Sequence, residues 1–215
     1  MSLTVASLHL YPVKSLGGYA VDTFLLTDRG AACDRRWMLV DDTDTFLSQR
    51  SLPAMACLHC SHTATGFRVT DIRDGSYLEL PWILEHGNAR QATVWDDGVQ
   101  VLEAPKPWSR WFEDRLGQPL ELVYMPDECE RPADPRYASA ITSLSDGFPY
   151  LIVSQASLDA LNARLSVDQR VPMDRFRPNI VIGGGGPHQE DHWRRIHIGH
   201  VEFELVKPCG RCIIT

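Results

Sequence analysis

From Leu3 to about Val101 the chain alternates short apolar, β-branched and aromatic stretches with turn residues, the pattern of short strands broken by turns. Residues 5–10, 19–26, 36–40, 67–72, 77–80 and 99–102 read as strands. Gly17-Gly18, Asp28-Arg29-Gly30, Arg73-Asp74-Gly75 and Asp96-Asp97-Gly98 punctuate them, and Asp74-Gly75 and Asp97-Gly98 have the residue types of hairpin turns. Short strands at this spacing predict a barrel-like sheet in the first half.

The period then changes. Pro107 opens a predicted helix in which Trp108, Trp111, Phe112 and Arg115 share one face, with Gly117 placed to close it. That aromatic stripe reads as core packing. Residues 120–124 read as a strand, and residues 126–145, with three prolines and several charges, as a linker or lid. Beyond it, 150–153 is a predicted strand, and Ser154 is placed to cap a helix carrying Leu158, Leu161 and Leu165. Residues 178–182 form a buried strand ending in the turn Gly183 to Gly186, and 196–198, 201–206 and 211 onward complete a second lobe. The fold class expected is mixed α/β, β-rich, with a few helices.

A formal charge of −7 and a pI near 5.6 leave no overall basic field, so general nucleic-acid binding is not expected. No apolar run is long enough to span a membrane and no secretory signal precedes the first strand, which together point to a cytoplasmic protein without membrane contact. A chain of 215 residues with a full apolar complement does not need disulfide staples, so its six cysteines are expected reduced. Cys57-Leu58-His59-Cys60 and Cys209-Gly210-Arg211-Cys212 share C-x-x-C spacing, and the two pairs offer a zinc-stapled alternative if they meet in space. The chain stops in apolar residues just after Cys212, from which a natural polypeptide continuing past Thr215 is expected.

Several strings carry candidate chemistry. Lys14 precedes Ser15 and near-adjacent glycines, which lets an ammonium and backbone N–H groups face one small anion. Arg35 and Arg36 flank the start of a strand at Trp37, and a buried arginine there needs a partner. That partner is either a structural carboxylate such as Asp34 or Asp41, or a ligand phosphate gripped by the guanidinium fork. Ser48-Gln49-Arg50 repeats the theme in a turn, and Pro178 holds Arg177 out of the helical region beside Asn179. His188, His192, His197 and His200 lack metal-ligand spacing. Cys209 and Cys212 sit beside Lys207 and Arg211, where positive charge favours the thiolate that binds soft metals.

Taken in order, Leu10-Tyr-Pro-Val-Lys-Ser15, Asp34-Arg-Arg-Trp-Met-Leu-Val40, Phe46-Leu-Ser-Gln-Arg50, Val94-Trp-Asp-Asp97, Arg175-Phe-Arg-Pro-Asn-Ile-Val181, Glu190-Asp-His-Trp193 and Cys209-Gly-Arg-Cys212 resemble the MOSC superfamily. The resemblance is nearest to the branch of the mitochondrial amidoxime-reducing component. It implies an N-terminal β-barrel domain over 1–125, and a C-terminally truncated MOSC domain over 126–215. Molybdenum–molybdopterin would lie between them. By matching, Lys14, Ser15, Arg35 or Arg36, Ser48, Arg50 and Arg177, with Asn179, would bind the pterin and its phosphate, and Cys212 would be the catalytic protein ligand to molybdenum. The implied activity is reduction of small N-hydroxylated substrates by oxygen-atom transfer, with electrons from an external ferredoxin-type (2Fe-2S) donor and no pyridoxal phosphate. A non-catalytic molybdopterin carrier or sulfur-transfer module is the alternative.

Overall fold

The run Trp37-Met38-Leu39-Val40 contains no polar residue, and in the computed structural model, which describes residues 2–211, it forms a strand buried on both faces. Alternation sends Trp37 and Leu39 into one apolar cluster with Val13, Leu58, Phe67, Phe112 and Leu122. Met38 and Val40 point into a second cluster with Val94, Val101, Val123 and Leu144. This one strand thus divides two cores. It pairs antiparallel with Glu121–Tyr124, which pairs with Asp97–Glu103, which pairs in turn with Ala89–Val94. A three-stranded meander, Leu58–His62, Gly66–Asp71 and Tyr77–Pro81, covers the first core.

The sheets touch through isolated bridges, Val13 with Trp37, Gly17 with His59 and Thr45 with Thr93, instead of continuous ladders. Among the described residues no sheet closes on itself, so the barrel-like expectation holds as a strand-rich half with an open, stitched wall. The first strand lies elsewhere. Thr4–Leu10 pairs antiparallel with Ile180–Gly183 and with Tyr19–Val21, and Ile152–Ser154 joins Ile180–Gly183 in parallel. The amino-terminal strand therefore belongs to the sheet of the second half.

Two α-helices are present among the described residues. Helix α1 (Lys106–Leu116) buries Ser109, Phe112 and Leu116, with Trp108 packed edge-on against Trp37 at 6.1 Å, and Gly117 ends it with φ 73°. Helix α2 (Gln155–Asn162) stops short of Leu165, and of its leucines only Leu158 is fully buried. Ser154 caps it as expected, its Oγ accepting from Ser157 N at 3.1 Å. Ser154→Ala is expected to cost about 1 kcal/mol, read as a lowered urea midpoint at unchanged slope.

The 126–145 segment is not a slack linker. Its Leu144 is buried in the second core, and Arg131, 3% exposed, pairs with Asp97 and donates to the carbonyls of Ser143 and Ser145. No described helix is long and apolar enough to cross a membrane.

Candidate functional site

The segments around Tyr11 and Asp34 run side by side because each supplies what the other lacks. Tyr11 N donates to Asp34 Oδ1 at 2.8 Å, Arg35 N to Tyr11 O at 2.8 Å, Trp37 N to Pro12 O at 3.1 Å and Lys14 N to Trp37 O at 2.7 Å. Pro12, with no N–H, leaves no orphan donor in this ladder. Beyond it Gly17 and Gly18 bring the backbone against its neighbours: a Cβ at Gly17 would lie 2.8 Å from the His59 ring, and one at Gly18 2.3 Å from Leu10 O. Two of the candidate strings are thereby drawn to one place.

That place is the mouth of a cavity of about 990 Å³ lined by Lys14, Ser15, Arg35, Ser48, Arg50, Arg177 and Asn179. Arg35 pairs with Asp34, donates to Asn179 Oδ1 at 3.2 Å and to Arg177 O at 2.9 Å, and lies over the Tyr11 ring. Arg177 also lies over Tyr11 and donates to Leu16 O. Burial opposes the charge of Arg35, but Asp34 outweighs it and holds the guanidinium above its ordinary value. Arg177 has no paired carboxylate among the described residues, and burial together with the charge of Arg35 pulls it down to about 10. Lys14, 4% exposed, is drawn down to about 8 by burial, against the pull of Asp146 at 2.6 Å.

Asn179 also accepts at Oδ1 from Leu151 N, and its Nδ2 donates to His9 O. These bonds fix Arg35 relative to the second-half sheet. Ser48 Oγ accepts from Arg50 N at 3.3 Å, and Arg50 stacks over Trp95, which meets Phe46 edge-on at 4.8 Å. Ser15, Arg35, Trp95 and Arg177 all have positive φ, between 49° and 68°, and all line the cavity. Strain of this kind, held in place by surrounding bonds, concentrates at functional clefts.

Arg36, grouped with Arg35 on sequence, does not reach the cavity. Strand alternation places it on the face of Met38 and Val40, where it donates to Met125 O and pairs with Asp127 at 2.7 Å. Its role is to clamp the turn after residue 124. Cys212 lies outside the described residues, while its chain neighbours Cys209 and Arg211 line the cavity. The zinc alternative includes Cys212, which lies outside the described residues; among the described residues no three His, Cys, Asp or Glu side chains are gathered to hold a metal, and burial pushes the Cys60 thiol up to about 12. Sequence reasoning missed Asp146, Trp95 and Tyr11 as members of the site.

A strand-rich body with a cationic cleft between its two halves is the class defined so far, and the chain belongs to the MOSC family. Residues 2–119 match the MOSC N-terminal beta barrel domain, and residues 140–215 match the MOSC domain. The chain is 31% identical to mitochondrial amidoxime-reducing component 1 of Mus musculus over 99% of its own length and 65% of that protein's. It is 28% identical to molybdenum cofactor sulfurase of Oryza sativa over 96% of its length and 27% of that protein's, and 27% identical to the Homo sapiens sulfurase over 97% and 26%. It thus spans about two thirds of the first relative and about a quarter of the sulfurases.

The residues present suit an anionic pterin cofactor. Eight lysine and arginine side chains line the cavity against six carboxylates, and Lys14, Arg35, Arg50 and Arg177 form its cationic end, where Asp146 is the carboxylate paired with Lys14 and Asp34 the one paired with Arg35.

Proposed function

We propose that this chain binds molybdenum–molybdopterin in the cavity and reduces N-hydroxylated compounds with it. The convergence of Lys14, Arg35, Arg50 and Arg177 on one cavity carries this reading. The likeness to proteins named for amidoxime reduction and for molybdenum cofactor sulfuration supports it. Bound there, the cofactor would supply a metal centre able to take an oxygen atom from the substrate, with Cys212 as its protein ligand.

The chain's own share is binding and exclusion of water. Lys14, Arg35 and Arg177 are held in position by their neighbours before a phosphate arrives, so these cations themselves need not rearrange on binding. Arg50 extends that surface to the rim, where Trp95 and Phe46 form an apolar wall. Asn179 and Asp34 keep the guanidinium groups aimed. A ferredoxin-type electron donor and a cytoplasmic location belong to the same proposal.

A second reading, a cofactor carrier or sulfur-transfer module, is favoured by the match to the sulfurases. Expression in a cofactor-competent host followed by molybdenum analysis and pterin fluorescence tests what the two share. A folded preparation with neither metal nor pterin sinks both. Reduction of a hydroxylamine-type substrate by an artificial donor then separates them: activity that disappears in Cys212→Ala while pterin is retained identifies the reductase, and pterin without reduction identifies the carrier.

A further inference from the structure

Asp146 stands among the cations that an anionic ligand would meet. Its Oδ1 accepts from Lys14 Nζ at 2.6 Å and from Trp95 Nε1 at 3.3 Å. The partners are unlike: the Lys14 side chain is 4% exposed, whereas that of Asp146 is 78% exposed. The ammonium is fixed in the wall, and the carboxylate projects into open space. Its charge is also felt by Arg35 and Arg177. The backbone that carries it cannot easily move, because the buried Arg131 donates to the carbonyls of Ser143, Ser145 and Asp146 and Ser145 Oγ donates to Phe148 O. Rotation of the side chain alone vacates the position.

We infer that Asp146 is an internal stand-in for the ligand's anion: it neutralises Lys14 in the empty cleft and swings aside when an anionic group enters. This rests on the reading that the cleft takes an anion. Binding is then an exchange, in which Lys14 trades one carboxylate for another negative group. A singly charged anion gains little over Asp146, whereas a doubly charged phosphate gains a charge, so the exchange selects for charge as well as shape. It also keeps the cleft from retaining stray monovalent anions.

The test uses the full chain, produced in a host that makes no pterin cofactor and titrated calorimetrically with inorganic phosphate at neutral pH and low salt. Asp146→Asn is expected to bind phosphate about tenfold more tightly than wild type. Asp146→Glu, which restores the charge, is expected to return towards wild-type affinity. Asp146→Ser repeats the comparison should the asparagine variant fold poorly by circular dichroism. Charge-neutral variants that bind phosphate no more tightly than wild type overturn the stand-in role and leave the cationic cradle intact. Absence of phosphate binding in wild type and variants alike overturns both.

Discussion

Asp34→Ala is expected to cost about 3–5 kcal/mol of folding stability, measured by urea unfolding, because it strands a buried charge and a buried donor together. Asp34 is 1% exposed; one oxygen accepts from Tyr11 N and the other pairs with Arg35. Without it Arg35 keeps only neutral acceptors, Asn179 Oδ1 and Arg177 O, in a cleft it shares with the Arg177 guanidinium. The double variant Asp34→Ala/Arg35→Met removes the stranded charge and is expected to recover a large part of the loss. If the double variant is as unstable as the sum of the two single changes, the carboxylate is not acting through Arg35.

Lys14→Met is expected to weaken sulfate binding by about two orders of magnitude while leaving stability unchanged or raised by ~1–3 kcal/mol. The two effects part because the ammonium is costly to bury. Its folded-state value near 8 lies below the ordinary 10.5, so the folded chain holds this proton less readily than the unfolded one. The charged lysine therefore subtracts from stability at neutral pH, and that penalty is relieved as pH rises through about 8 towards 10.5. Anion binding runs the other way. Above about 8 the free protein loses the charge that attracts the ligand, so wild-type affinity for sulfate, whose own charge is constant there, is expected to fall with rising pH. The methionine variant should lack that limb, and an identical pH profile in the two proteins would show that Lys14 does not govern binding.

Much of this molecule was legible where composition and period agreed. The run from Trp37 to Val40 was legible as a strand, though not its burial on both faces, and Ser154 and Gly117 announced the start of α2 and the end of α1. Besides three two-residue strands, two longer ones went unseen. Leu58–His62 and Ala89–Val94 carry few β-branched residues, although Leu58 and Cys60, and likewise Ala92 and Val94, alternate inward. The Asp97-Gly98 pair misled for a different reason. Gly98 lies opposite Thr93 inside the ladder, and the reversal falls at Trp95 and Asp96, with Trp95 accepting the positive φ that glycine usually takes.

The site divides in the same way. Lys14, Arg35, Arg50 and Arg177 stood out as basic residues in turn-forming strings, and the fold brings them to one cavity. Arg36 looked equivalent to Arg35, yet one step along a strand reverses the side chain's direction. Asp146 gave no signal, because Ser145-Asp146-Gly147 reads as an ordinary turn and its partner Lys14 is 132 residues away in sequence. Pairings at that separation are created by topology and have no local signature.

The shared sheet imposes an order on biosynthesis. The segment Thr4–Leu10 leaves the ribosome roughly 170 residues ahead of its antiparallel neighbour Ile180–Gly183. At elongation rates of about 5–20 residues per second, that edge waits roughly ten to thirty seconds for its mate. Throughout the interval a nascent chain with a finished Trp37 core still carries an unmatched ribbon, and cellular holdases have that long to shield it.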